Sequence, residues 1–379
     1  MGNYYNPVKM HFGVDQIKNL SSILEEIEDK TDKILLLTRG ADFDESMSEK
    51  IILEGLASRE VEKYAIPLSN PDITDLYNIK QATDTFAYDF IIAIGGGSVI
   101  DIGKAMAALR GIHLNSYEDI RQIMKERIYI SHKTRCGFMA IPTTAGTGSE
   151  VTFCATLWDK EKESKYTMSD KMMYPDIAII DPKLTVSMPI ELTVSTGLDA
   201  ICHATEAYWS RNTNALSRIY ALHGIKNIME NIEKLIEDLE NIELRTKIAY
   251  GSLYGGLAFS NTKLTSCHSI SYPMTAIFDI PHGIAASITL GKMLILNEKA
   301  LKEKEKLLTA FGVKKVYEVD EVIGSIYEKA GIPYRLKEYG IKKADLKQIA
   351  NQSFIKRRME NNPVNITREI LMNILYSVY

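Results

Sequence analysis

Phe90-Ile91-Ile92-Ala93-Ile94-Gly95-Gly96-Gly97-Ser98 is the segment from which the rest of the chain can be ordered. Five consecutive apolar residues that end in glycine read as a strand buried on both faces, and the apolar run that follows reads as a helix over 99–110. Glycines between a strand and a helix let the backbone come close to an anion, while the helix N-terminus offers N–H groups and a partial positive charge. Gly95, Gly96, Gly97 and Ser98 are therefore candidates to cradle a pyrophosphate. Alone, the cluster also suits a tight turn with no ligand, and the usual dinucleotide fingerprint has its third glycine where Ile100 stands.

The pattern extends on both sides. Strands are expected at 33–38 and 61–66, helices at 45–57 and 72–86, and a further strand at 136–141, which together describe a Rossmann-like parallel sheet covered on both faces. Pro142-Thr143-Thr144-Ala145-Gly146-Thr147-Gly148-Ser149-Glu150 follows that last strand. It stacks hydroxyls on flexible backbone, and Thr143, Thr144, Thr147 and Ser149 suit ribose and phosphate oxygens that need donors. Past about Thr185 strand-like runs give way to 3.6-residue periodicity, as over 217–239 and 243–259. The expectation is a nucleotide-binding α/β domain at 1–184 and a helical domain at 185–379, and 379 residues suffice for two cores.

The helical half holds the other candidate chemistry. In Thr196-Gly197-Leu198-Asp199-Ala200-Ile201-Cys202-His203 a four-residue step puts Asp199 and His203 on one helix face. His268 and His282, further along, must converge on them by tertiary folding. One carboxylate and three imidazoles suit Fe(II) or Zn(II), with a coordination position left for a substrate oxygen. Taken alone, the stripe Asp199, His203, Glu206 and Ser210 equally describes a solvated helix face. A metal beside a dinucleotide gives the pair of features a common chemistry.

A formal net charge of −4, with 25% charged and 45% hydrophobic residues, gives no electrostatic case for nucleic acid. The apolar runs 34–37 and 90–94 are too short to span a membrane and no signal-peptide core opens the sequence, so a cytoplasmic protein is expected. Cys136, Cys154, Cys202 and Cys267 show no paired spacing and read as reduced thiols.

Together these segments resemble the iron-containing (group III) alcohol dehydrogenase family, within the dehydroquinate synthase-like fold. The likeness runs through Gly95-Gly96-Gly97-Ser98-Val99-Ile100-Asp101, residues 142–150, Asp199-Ala200-Ile201-Cys202-His203-Ala204-Thr205-Glu206-Ala207 and Pro281-His282-Gly283. It implies an active site in the cleft between an N-terminal nucleotide domain and a C-terminal helical metal-binding domain, and a homodimer. It makes Asp199, His203, His268 and His282 the metal ligands, adds Asp101 to the cofactor residues, and sets Lys165 where the family has a lysine near the nicotinamide. Many members carry a further histidine four residues after the third ligand; here Tyr272 stands there, to relay a proton or only to pack.

Residues 267–275, 153–159 and 207–210 resemble the branch that reduces phosphonoacetaldehyde to 2-hydroxyethylphosphonate, a step of phosphonate biosynthesis. Aligning Asn362-Pro363 with the family's C-terminal Asn-Pro puts Arg358 first among candidates for the phosphonate, then Lys263 and Arg357. An arginine fork can hold two phosphonate oxygens at once, although a basic run such as 356–358 also suits a solvated surface. Where NAD-preferring enzymes often place an acidic residue after a strand, this chain has Arg39, which favours NADP(H) over NAD(H); Asp42 or Asp44 is the alternative partner for the ribose.

The expected function is thus metal-dependent, NAD(P)H-linked reduction of a small-molecule aldehyde to a primary alcohol, phosphonoacetaldehyde first. A general aliphatic alcohol or aldehyde dehydrogenase is the runner-up. A dehydroquinate synthase-like lyase or cyclase is more distant, because few cations surround His268 for a densely polar sugar phosphate.

Overall fold

The computed structural model describes residues 3–27, 31–40, 43, 45–66, 70–131, 135–162, 164–354 and 356–379. The chain divides into two compact units, Asn6–Thr144 with Ser149–Thr185, and Val186–Tyr379 with residues 3–5 and Ala145–Gly148.

The first unit is built on a six-stranded parallel sheet. Its strands are β1 Lys9–Phe12, β2 Lys33–Thr38, β3 Glu60–Ala65, β4 Phe90–Gly95, β5 Gly137–Pro142 and, beyond the antiparallel hairpin of β6 Cys154–Asp159 and β7 Ser164–Ser169, β8 Ile177–Ile180. They lie in the order β1-β8-β5-β4-β2-β3. Helices α1 Leu20–Glu25, α2 Met47–Gly55, α3 Ile73–Thr83, α4 Gly97–Ala108 and α5 Tyr117–Glu126 cover it.

Strand alternation sorts the side chains into two cores. Leu35, Leu37, Ile91 and Ala93 pack with apolar residues of α3, α4 and α5, whereas Ile34, Leu36, Ile92 and Ile94 pack with those of α1 and α2. The chain leaves β2 for the edge strand β3 and then returns to β4 on the other side of β2. The two crossovers part there, so the C-terminal ends of β2 and β4 flank a topological switch point, with Thr38 in register with Ile94.

Sequence and structure differ in instructive places. The helix expected over 45–57 is the shorter α2, whose N-cap Ser46 accepts from Glu49 N. The 72–86 helix is α3, held at its start by a capping box of Asp72 and Asp75, and a 3₁₀ turn at Asp84–Phe86. The short strand β1, with Lys9 and Met10 exposed, has too little apolar pattern to stand out in the sequence.

The missing third glycine of the fingerprint has a structural counterpart. A Cβ at Gly103 would lie 2.5 Å from Phe138 Cε2 and 2.9 Å from the Ala93 Cβ, so close helix-to-sheet packing is met at Gly103, three residues beyond the usual position.

The second unit is helical: α6 Ile190–Trp209, α7 Ala215–Met229, α8 Ile232–Glu237, α9 Ile242–Phe259, α10 Ser266–Phe278, α11 His282–Ser287, and further helices out to Arg368–Ser377. The periodic run over 217–239 is broken into α7 and α8 at Asn231. Helix α11 lies so tight against α6 that a Cβ on Gly283 would fall 1.9 Å from Ser195 O. Among the described residues no helix is long and apolar enough to cross a membrane.

Candidate metal centre and nucleotide loops

Helix α6 carries Asp199, His203 and Glu206 at positions i, i+4 and i+7, which fall on one face. That face is not solvated: Asp199 is 4%, His203 5% and Glu206 0% exposed. Buried ionisable groups need partners, and the other half of the site supplies them.

Helix α10 ends at Asp279, whose left-handed conformation (φ 53) turns the chain so that α11 begins three residues later with His282. The 14-residue separation of His268 and His282 is thereby closed by a local helix–turn–helix, and their rings meet edge to face with centroids 5.6 Å apart. Asp199, His268 and His282 each place one ligand atom within 4.8 Å of the others. His268 Nε2 lies 3.2 Å from Asp199 Oδ1.

His203 flanks this group. Its ring stacks on His268 at 4.5 Å and on Phe259 at 4.3 Å, its Nε2 is 3.9 Å from Asp199 Oδ1, and its Nδ1 is 3.3 Å from Gly146 O. An Nδ1–H donated to that carbonyl leaves the Nε2 lone pair on the Asp199 side.

The electrostatics follow from burial and crowding. Burial works against the charged form of Asp199, but the imidazoles of His203, His268 and His282 outweigh it and hold the carboxyl below its ordinary range. Burial lowers His203 to about 4, which keeps the ring neutral, as a metal ligand must be. Burial also disfavours charge on His268, yet Glu206 and Asp199 on either side push it up to about 9.

Glu206 received no role from the sequence beyond its place in the stripe. In the structure its Oε2 accepts from His268 Nδ1 at 2.7 Å and from Thr265 N at 3.1 Å, and its Oε1 accepts from Thr265 Oγ1 at 2.8 Å and Cys267 N at 2.6 Å. The signal that could have found it is the i+7 spacing from Asp199.

Tyr272, 8% exposed, stacks its ring on His282 (5.8 Å, 4° between planes), and the Arg358 guanidinium carbon lies 4.3 Å from the centre of the same ring. Arg358 is half-buried and so does not belong to a wholly solvated run. Asn361 anchors its segment, taking a backbone bond to Arg358 O and sharing its side-chain amide among the carbonyls of Thr262, Lys263 and Leu264. Lys263 sits in that left-handed turn (φ 64) with an exposed side chain. Arg357 lies in the short helix Lys356–Met359, and its side chain is outside those described.

In the α/β unit Gly95, Gly96, Gly97 and Ser98 form the turn from β4 into α4, with Gly96 as N-cap. Thr143 N donates to Gly95 O at 2.9 Å, and a Cβ on Gly96 would touch the Thr144 side chain at 3.4 Å, so the two predicted loops lie together. Asp101 binds them: its Oδ1 accepts from Ser149 Oγ at 2.5 Å and its Oδ2 from Thr156 N at 2.8 Å. Beneath them lies Lys104, which the sequence reading missed. It is fully buried and donates to Ser149 Oγ (2.8 Å), Thr152 Oγ1 (3.1 Å) and Cys154 O (2.9 Å).

Thr147 belongs to the segment Ala145–Gly148 that the chain lends to the helical unit. Arg39 follows the last residue of β2, half-buried, at the switch point. Asp42 and Asp44 lie outside the described residues. Lys165 pairs across the hairpin with Trp158, its ammonium 4.7 Å from the indole ring centre.

Two family models match the chain, "Iron-containing alcohol dehydrogenase" over residues 7–182 and "Fe-containing alcohol dehydrogenase family, C-terminal" over residues 193–379. The NADPH-dependent butanol dehydrogenase of Clostridium saccharobutylicum is 32% identical, over 82% of this chain and 81% of that one. The NAD-dependent methanol dehydrogenase of Bacillus methanolicus is 29% identical over 99% of each. Among solved structures, sulfoacetaldehyde reductase from Bifidobacterium kashiwanohense in complex with NAD+ superposes with a TM-score of 0.87, at 27% identity, covering 100% of this chain and 98% of that one. The protein belongs to the iron-containing alcohol dehydrogenase family, with its dehydroquinate synthase-like fold, and is an oxidoreductase.

Proposed function

We propose that the protein reduces a small aldehyde bearing an anionic head group to its primary alcohol, with phosphonoacetaldehyde as the substrate that best suits its residues. The observation that carries this reading is the convergence of Asp199, His268 and His282 beside a Tyr272 ring that also bears the Arg358 guanidinium.

The donor set fits a resident ion: a carboxylate and two imidazoles converge, and the hydrogen-bond partner of His268 Nδ1 directs its Nε2 into the cluster. Asp199, His268 and His282, with His203 as fourth ligand, would hold Fe(II) or Zn(II). The fit to a dinucleotide rests on the glycine turn at the start of a twelve-residue helix and on the hydroxyls gathered beside it. Gly95–Ser98, Asp101, Thr143, Thr144 and Ser149 would bind the cofactor together with Lys165, and Arg39 would meet a 2′-phosphate. When bound, the ion supplies Lewis acidity to a carbonyl oxygen and the reduced nicotinamide supplies a hydride.

The chain's own residues do the orienting. Arg358 would hold the phosphonate bidentately and so fix the reach of the two-carbon aldehyde. The ring of Tyr272 supports that guanidinium, and its hydroxyl is the chain's candidate to pass a proton to the product oxygen. The likeness to the Bifidobacterium sulfoacetaldehyde reductase supports an anionic head, since sulfoacetaldehyde is a two-carbon aldehyde with a sulfonate. A second reading, oxidation or reduction of uncharged short substrates, is favoured by the relatives named for methanol and butanol.

Steady-state kinetics of the metal-replete enzyme with phosphonoacetaldehyde, sulfoacetaldehyde, acetaldehyde and butanal, each with NADPH and NADH, separate the two. The proposal expects the highest kcat/KM for phosphonoacetaldehyde with NADPH. Equal or better values for butanal would overturn it.

A further inference from the structure

We infer that Glu206 is a positioning residue that decides which nitrogen of His268 is offered to the metal. The inference rests on the metal centre proposed above.

Glu206 is fully buried, and every polar group the structure sets against it is a donor. The backbone N–H groups of Thr265 and Cys267 point at the carboxylate, and so does that of His268 at 3.4 Å. The Thr265 hydroxyl has its direction fixed from behind. It accepts from Trp209 Nε1 at 2.8 Å, so its own hydrogen goes to Glu206 Oε1 at 2.8 Å. A carboxylate so surrounded can only accept, and the group it meets at 2.7 Å, His268 Nδ1, therefore carries a hydrogen. That leaves Nε2, on the Asp199 side, as the nitrogen whose hydrogen a metal would displace to gain the ligating lone pair.

A plain structural role exists for the same contacts, because a carboxylate collecting N–H groups at the first turn of α10 also caps that helix. The two roles part on substitution by glutamine. An amide at 206 must turn its NH2 toward one of the two oxygen positions. Placed at Oε2 it opposes Thr265 N–H and obliges His268 Nδ1 to accept, which moves the ring hydrogen to Nε2 and removes the lone pair. Placed at Oε1 it opposes two fixed donors, the Thr265 hydroxyl and Cys267 N–H, so the Oε2 placement, which opposes only one, is favoured. A cap alone would change stability and leave the imidazole's metal-facing nitrogen untouched.

The test is zinc affinity, read by competition against a chromophoric chelator, for the wild type, Glu206→Gln, Glu206→Asp and His268→Ala, each shown to be folded by circular dichroism. It is paired with nitrogen-15 histidine spectra of the zinc-loaded wild type. Glu206→Gln should weaken zinc about 10- to 100-fold, with Glu206→Asp recovering part of the loss, and His268 should show a hydrogen on Nδ1 and zinc on Nε2. A folded Glu206→Gln that binds zinc as the wild type does, or His268 ligating through Nδ1, would overturn the inference. If the glutamine variant does not fold, the wild-type spectra decide alone. His268→Ala binding zinc undiminished would instead sink the metal centre itself, and with it the ground for this role.

Discussion

Arg358 and Glu206 mark what a single side chain contributes here and how differently the two could be found. The register of Asn362-Pro363 singles out Arg358, and its place against the Tyr272 ring gives it a mechanical support that no spacing could show. If it grips a phosphonate, Arg358→Ala should lower kcat/KM for phosphonoacetaldehyde about 10- to 100-fold, as expected for charge-assisted bonds of roughly 1.5–3 kcal/mol, and change butanal about 2-fold at most. Equal losses on both substrates would contradict that role. Tyr272→Phe keeps the ring and removes the hydroxyl, so it should preserve the preference for the anionic aldehyde; a shift in its pH–rate profile would mark the hydroxyl as a relay. The placement of Asp199 and His203 on one helix face was legible because helical spacing is local. Lys104 was not, because a lysine in a sequence reads as surface until the groups that accept its three hydrogens are brought around it by folding.

At the scale of elements, the strands β2, β4 and β5 were legible because residues buried on both faces form unbroken apolar runs. The short edge strand β1 lacks that signature, and Glu230-Asn231 holds neither glycine nor proline to mark the break between α7 and α8. The glycine fingerprint failed at Ile100 because close approach between α4 and the sheet is made one step further on, at Gly103. Gly103→Ala would set its Cβ against both the Phe138 ring and the Ala93 Cβ, and overpacking of this kind typically costs about 1–3 kcal/mol. Urea denaturation should show a lower midpoint with an unchanged slope; an unaltered midpoint would mean the ring can move aside freely.

For the molecule as a whole, the change of period near Thr185 shows where helices take over, but the sequence could not show that residues 3–5 and Ala145–Gly148 join the helical unit, since that depends on contacts distant in the chain. The stability of the whole chain should also carry the mark of one buried acid. Burial pushes the Glu150 carboxyl from its usual 4.5 up to about 7. The folded state thus holds the proton more tightly than the unfolded state, and the resulting stabilisation is complete below the unfolded value and lost as pH rises through about 7. Thermal melting should therefore fall between about pH 5 and pH 8 in the wild type, and Glu150→Gln should flatten that slope. A variant with the same slope as the wild type would assign the pH dependence elsewhere.

The proposed chemistry requires one divalent ion where α6, α10 and α11 meet. Anomalous diffraction from crystals of the metal-replete protein, recorded at the absorption edge of the bound metal, tests this most directly. We expect a single peak within about 2.0–2.3 Å of Asp199 and the imidazole nitrogens of His203, His268 and His282. A metal peak elsewhere, with these four side chains bound only to one another, would contradict it.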